Sequence, residues 1–158
     1  MRNDAFEAVR GQIGACGIWC GSCAVGNGSL RDASIRTDRV IDSHGIAHWA
    51  PEELDVASLR KGLGILAEIS TCAGCRRGEG RADCELRVCA ADRDLVECAA
   101  CGADGCPHAE LLDHMRQGAI DADLFVKAET GDDRAFIDAH LMALRSRFPS
   151  CVLFLNRD

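Results

Sequence analysis

The sequence predicts a mainly α-helical protein with an irregular, cysteine-rich and metal-stabilised segment and little β-structure. Apolar residues recur at helical spacing over residues 29–44 and 132–148. Residues 71–106 instead contain seven cysteines and few large apolar side chains. Such a stretch cannot build an ordinary core, so cross-links or metal ions must hold it together.

Two helices are predicted between the first cysteines and this segment. Ser29 with Asp32 three residues later resembles a capping box, and Gly45 can end the helix that they open. Pro51 suits the first turn of the second helix. The apolar stripe of that helix consists of Leu59, Leu63, Leu66 and Ile69.

After the last of the ten clustered cysteines the pattern is helical again. Pro107 and Gly118 suit the start and the end of a helix, which would make Cys106 its N-cap. A short helix is predicted over residues 121–131, and a longer one opens at Asp132 with Phe136, Ile137, His140, Leu144 and Phe148 as its stripe. Residues 3–10 suit one or two helical turns, and residues 151–155 a short strand or an apolar tail.

The length of 158 residues suits one domain with at most a small appendage. We expect a cysteine-rich metal-binding domain over residues 1–110 with a helical insertion at 24–70. We expect residues 107–158 to form a C-terminal helical segment that packs on this domain. Trp19 should pack against the helices.

Charge and hydropathy exclude several functional classes. The net charge of −7 argues against general binding of nucleic acid and against an anionic membrane surface. The first residues carry charges within their apolar run and do not read as a signal peptide, and no stretch approaches the ~20 apolar residues of a membrane span. We therefore expect a cytoplasmic protein.

The cysteines point to metal. A secreted disulfide framework would need an export signal, whereas repeated C-x2-C spacing in a cytosolic chain is typical of metal or redox sites. Cys151, the eleventh cysteine, stands apart. The ten candidate ligands are Cys16, Cys20, Cys23, Cys72, Cys75, Cys84, Cys89, Cys98, Cys101 and Cys106.

The C-x2-C pairs at residues 72–75 and 98–101 are the strongest metal signals, and they suit one another as ligands of one ion. Cys84 and Cys89 would not share a helix face, because five steps of about 100° leave them well apart. Cys84 is therefore expected just before a short helix, unless the two serve different ions.

The opening trio at residues 16, 20 and 23 has C-x3-C-x2-C spacing and lacks a fourth ligand. Radical enzymes that use S-adenosylmethionine share this spacing, but they are usually built on a large barrel. We expect the fourth ligand to be distal, with Cys84, Cys89 and Cys106 as the candidates.

The ordered set of ten cysteines resembles the domain of unknown function 3795 family, which comprises small cysteine-rich proteins. The resemblance covers about residues 14–110 and implies a small metal-binding protein with no established activity.

Zinc in structural four-thiolate sites, with two ions or more, is our expectation from these patterns. The class is then a binding or interaction module rather than an enzyme, with a protein as one option for its partner. The alternative is an iron–sulfur cluster protein with a redox or radical-type role, since cysteine thiolates serve both metals. Thiol–disulfide or metal-handling chemistry at an exposed C-x2-C pair is a third option.

Overall fold

The computed structural model describes residues 11–69, 72, 74–101 and 106–148. The regular structure in these ranges is mainly helical, which confirms the predicted fold class, and the β-structure is limited to isolated antiparallel bridges that pair Ile13 with Trp19 and Ile18 with Val126. No helix in these ranges is long and apolar enough to cross a membrane. The α-helices are α1 (Ser29–Ser43), α2 (Val56–Ala67), α3 (Glu85–Asp92), α4 (Ala109–Asp121) and α5 (Asp133–Arg147), and the short 3-10 turns are Cys20–Ser22, Ile46–His48, Cys75–Arg77 and Cys98–Cys101.

Helices α1 and α2 pack on each other and lie in the chain between the two groups of cysteines. The Arg60 guanidinium on α2 binds Asp38 at 2.8 Å and Asp42 at 3.0 Å, both on α1. These exposed pairs contribute little to stability, because solvent and salt screen them. Several large apolar side chains of these two helices and the segment that connects them remain exposed: Val40, Trp49, Leu54, Leu59 and Ile65.

Helix α1 begins at Ser29, as predicted, but its cap and the start of α2 differ from the prediction. Gly28, at φ +79°, is the N-cap of α1, and the Asn27 side-chain oxygen accepts the Ser29 N–H at 3.0 Å. The predicted capping box at Ser29 is therefore wrong. Helix α2 begins at Val56 rather than at Pro51, because the Asp55 carboxylate accepts the Ser58 N–H at 2.9 Å.

The segment after Cys106 also differs. Helix α4 begins at Ala109 with His108 as N-cap, so the prediction that Cys106 caps a helix starting at Pro107 is wrong. The helix also continues past Gly118 to Asp121, since an isolated glycine costs only about 1 kcal/mol inside a helix that is otherwise favourable.

Residues 122–131 are not helical, contrary to the prediction. Their backbone pairs with the opening segment instead. The Phe125 carbonyl accepts the Trp19 N–H at 2.9 Å, and the Lys127 N–H donates to the Gly17 carbonyl at 2.8 Å. Tertiary pairing thus satisfies the groups that a helix would have used.

Helix α5 confirms the predicted last helix. The Asp132 side chain accepts the backbone N–H groups of Arg134 and Ala135, and the helix runs to Arg147. Its buried face carries Ile137, Leu141 and Leu144. The expectations for residues 3–10 and 151–155 fall outside the described residues.

The core joins the opening segment to α5. Trp19 is fully buried, packs against Phe125 and Phe136 with ring centroids 5.9 and 6.4 Å away, and donates through Nε1 to Gln12 at 3.0 Å. This confirms that Trp19 packs against the helices. The buried cluster comprises Ile13, Trp19, Ile137, Leu141 and Leu144, with Phe125, Phe136 and Phe148 packed around it. The segment that carries the first cysteines is therefore anchored in the buried core.

Candidate metal centre

Residues 11–20 form a tight hairpin that presents Cys16 and Cys20. The Gly14 N–H donates to the Ile18 carbonyl and the Cys20 N–H to the Gln12 carbonyl, both at 2.9 Å. Gly17, at φ +88°, lies at its tip, where a Cβ would stand 2.1 Å from the Lys127 carbonyl oxygen. Only glycine permits this approach, which locks the hairpin against residues 125–127.

The thiol of Cys75 meets this hairpin. Its sulfur lies 3.1 Å from the position that a Cβ would take at Gly14, and the Cys16 sulfur lies 3.3 Å from the same position. A hydrogen bond joins the thiols of Cys20 and Cys75; it raises the pKa of Cys20 and lowers that of Cys75 to about 6. Cysteines from two segments that are far apart in the sequence therefore lie close together in the fold.

Four other cysteines line a cavity that is separate from these thiols. Its volume is about 10 Å³, the room of roughly one water-sized sphere. Apolar side chains close it on the remaining sides. The lining residues are Leu86, Cys89, Ala90, Leu95, Cys98, Cys101, Cys106 and His108. We call this the cavity site.

The loop that carries Cys98 is anchored from two directions. The Cys98 N–H donates to the Ala15 carbonyl at 2.8 Å. The preceding Glu97 accepts from the buried Lys127 ammonium at 2.7 Å, and that ammonium also donates to Asp133 at 2.7 Å and to the Gly131 carbonyl at 2.6 Å. Burial raises the pKa of Cys98 to about 11, with the charges of Cys16 and Cys106 adding to the effect.

Two guanidinium groups lie beside the cavity site. Arg93 donates through Nη1 to the Cys101 sulfur at 3.1 Å. Arg116 of α4 donates through Nε to the Cys16 carbonyl at 2.8 Å, and its positive charge acts to lower the pKa of Cys98. The other arm of that guanidinium, Nη2, is buried without a hydrogen-bond partner. This atom lies 3.4 Å from the position that a Cβ would take at Gly17, at the tip of the hairpin.

Beyond Cys89 and His108, the cavity site adjoins an open cleft of about 390 Å³. Asp83, Glu85, Val88, Asp92 and Arg93 complete its lining. Carboxylates therefore line this cleft beside Cys89.

The structure places the predicted ligands in two neighbourhoods. Cys75 lies close to Cys16 and Cys20, whereas Cys98 and Cys101 line a cavity with Cys89 and Cys106. That the two C-x2-C pairs share an ion stays a prediction, as does the distal fourth ligand of the opening trio.

Three further cysteines complete the set. Cys84 is the N-cap of α3, as expected, and its charge acts on the Cys16 thiol. The Cys72 sulfur accepts the Gly74 N–H at 3.4 Å. Cys23 follows the turn Cys20–Ser22, and the contacts that place Cys16 and Cys20 against Cys75 do not include it.

Within the described ranges, no three His, Cys, Asp or Glu side chains stand together so that they could hold a metal ion as they are placed. An ion would have to draw the thiols inward by side-chain rotation. The ligand assignment of the ten cysteines therefore stays a prediction.

Sequence reasoning did not single out the groups that surround the thiols. Arg93, Arg116 and Lys127 reach the cysteine loops from positions up to 100 residues away. Nothing in a single sequence marks such arginines as special. Gly14 and Gly74 did carry a signal, since glycines beside cysteines leave space for sulfur.

The family is decided by comparison with known protein families. The model of a protein family of unknown function, DUF3795, matches residues 12–111. The chain belongs to this family. The match contains all ten clustered cysteines and ends within α4, so α5, which supplies much of the core, lies beyond it. Neither a curated protein nor a solved structure matches the chain significantly.

Proposed function

We propose that this member of the DUF3795 family is a small zinc-binding protein in which zinc is structural, and that it serves as a binding or interaction module. The single observation that carries the proposal is the cavity site. Four cysteine thiols from three parts of the chain line a space of about 10 Å³. Tetrahedral coordination by four thiolates is the usual closed structural site for zinc.

The size of the cavity favours one ion over a cluster. Room for one water-sized sphere accommodates a single zinc ion once the thiols rotate inward. A cluster of several irons with inorganic sulfides needs much more space. The radical-type alternative would also require the opening trio to converge on one cluster, whereas the Cys20 thiol is hydrogen-bonded to Cys75 instead.

The charge around the cavity site supports a thiolate–metal centre. Zinc with four thiolates carries a net charge of −2, and such a charge is costly inside a protein unless cations lie beside it. Arg93 already donates to the Cys101 sulfur, and the positive charge of Arg116 acts on Cys98. The two guanidinium groups are opposite to this charge in sign and equal to it in number.

The role of the ion follows from the poor apolar content of this part of the chain. Helix α3 buries only Leu86 and Ala90, which is too little to hold residues 84–106 in place. Bound structural zinc contributes folding free energy directly, on the order of 10 kcal/mol or more in small zinc domains. Because four protein ligands leave no open position, such a site binds no substrate at the metal.

The experiment is elemental analysis of protein purified both anaerobically and aerobically, with zinc and iron measured per chain. We expect colourless protein that contains zinc in both preparations. Cys98→Ser should lower the zinc content, whereas Cys151→Ser, at the cysteine that stands apart in sequence, should not. Brown anaerobic protein that contains iron and sulfide would establish the iron–sulfur alternative, and protein without metal would refute both.

A further inference from the structure

A second group of thiols lies outside the cavity site. The hairpin 11–20 and the turn Cys75–Arg77 bring the sulfurs of Cys16 and Cys75 together at Gly14, where both lie within 3.3 Å of the position that a Cβ would take. A hydrogen bond joins the thiols of Cys20 and Cys75. Cys75 therefore lies close to both Cys16 and Cys20.

Glycines keep this space open from both sides. At Gly74, φ is +98°, and a Cβ there would stand 3.5 Å from the Cys20 sulfur and 3.2 Å from the Gly11 carbonyl oxygen. Gly14 and Gly74 thus form a cradle that a larger residue would fill. Both glycines lie beside cysteines of the same group, which is the arrangement that close packing of backbone against large sulfurs requires.

Backbone N–H groups are aimed at these sulfurs. The Ala15 N–H donates to the Cys75 sulfur and the Ile18 N–H to the Cys16 sulfur. Hydrogen bonds of this kind hold the ligands of a metal site in orientation.

A fourth thiol is supplied by the start of α3. Cys84 is the N-cap of that helix. Arg87 of the same helix donates to the Cys75 carbonyl at 3.1 Å, which ties the start of α3 to the turn that carries Cys75. Cys89, by contrast, lines the cavity site. Cys84 and Cys89 are five residues apart and do not share one helix face. Cys84 thus lies with the thiols near Gly14, and Cys89 with those of the cavity site.

We infer that Cys16, Cys20, Cys75 and Cys84 form a second four-thiolate metal site, the hairpin site, which binds its own soft divalent cation of the zinc class independently of the cavity site. Cys23 and Cys72 are ligands of neither ion. The inference rests on the proposed function for the identity of the metal, but its geometry is independent of the cavity site. Both sites adjoin the hairpin 11–20, because the Cys98 N–H donates to the Ala15 carbonyl.

The test measures how many ions the full-length protein binds. Apoprotein is titrated with Zn²⁺ and the ratio is read by native mass spectrometry. The wild type is expected to bind two ions. Cys20→Ser, Cys75→Ser and Cys84→Ser should each bind one, and the matched control Cys23→Ser, in the same opening segment, should bind two.

A second measurement needs no substitution and so is independent of misfolding. The wild type loaded with ¹¹³Cd²⁺ should give two cadmium resonances, both typical of four sulfur ligands. Wild type that binds one ion, retained in Cys20→Ser, would overturn the hairpin site and leave the cavity site standing. Loss of an ion in Cys23→Ser but not in Cys84→Ser would overturn the ligand set, and wild type without metal would overturn the proposed function itself.

Discussion

Replacing Gly14 by alanine perturbs the hairpin site without touching a ligand. The new Cβ would stand 3.1 Å from the Cys75 sulfur and 3.3 Å from the Cys16 sulfur. The φ of Gly14 is outside the left-handed region, so space alone opposes the substitution. Both sulfurs must shift by a few tenths of an ångström, which an ion that fixes them resists. Overpacking of this kind costs about 1–3 kcal/mol, which corresponds to roughly a 5- to 150-fold loss of zinc affinity.

The assay is a competition titration with a chromogenic zinc chelator, which resolves the two affinities, combined with urea unfolding of the apoprotein. Only the affinity of the hairpin site should fall. Gly118→Ala is the matched control, because nothing lies within 4 Å of its Cβ position on α4; it should gain about 0.5–1 kcal/mol of stability and leave both affinities unchanged. Wild-type affinity at both sites in Gly14→Ala would refute the convergence of the sulfurs on that position.

Two further substitutions test the surroundings of the thiols. Arg116→Met removes the hydrogen bond to the Cys16 carbonyl and the positive charge that acts on Cys98. It should lower the zinc affinity by roughly 10- to 100-fold, as loss of outer hydrogen bonds around metal ligands does, measured by the same titration; wild-type affinity at both sites would contradict a role for this guanidinium. Lys127→Met leaves the carboxylates of Glu97 and Asp133 without their buried cation, so urea unfolding should show a loss of about 3–5 kcal/mol. Lys61→Met on the exposed face of α2 should stay within about 0.5 kcal/mol of the wild type, and an equally small effect at Lys127 would show that its network contributes nothing.

Sequence patterns predicted correctly those helices whose ends are set by residues next to them in the chain. Helix α5 begins where Asp132 caps it, and its buried face is the predicted stripe around Ile137 and Leu144. Residues 121–131 were predicted wrongly because Phe125 and Lys127 pair with the opening hairpin. That pairing depends on Gly17, more than 100 residues earlier in the chain, and no local pattern contains it.

In the candidate site, too, local features could be predicted from sequence and contacts between distant segments could not. The candidate metal ligands could be nominated from sequence because cysteine spacing is local, and the separation of Cys84 from Cys89 follows from helix geometry. Their grouping could not, because Cys75 meets Cys16 only where Gly14 leaves room. The guanidinium of Arg116 also reaches Cys16 only through the folded chain. Distances between segments are set by tertiary packing, which spacing does not encode.

X-ray absorption at the zinc edge of the metal-loaded wild type tests the central claim most directly, since it reports the atoms bound to the ion. Two separate four-thiolate sites predict two zinc ions per chain and a first shell of four sulfurs at about 2.3 Å, without nitrogen, oxygen or a neighbouring metal. A shell containing nitrogen or oxygen, a second metal close to the first, or a chain that binds iron in place of zinc would contradict the account.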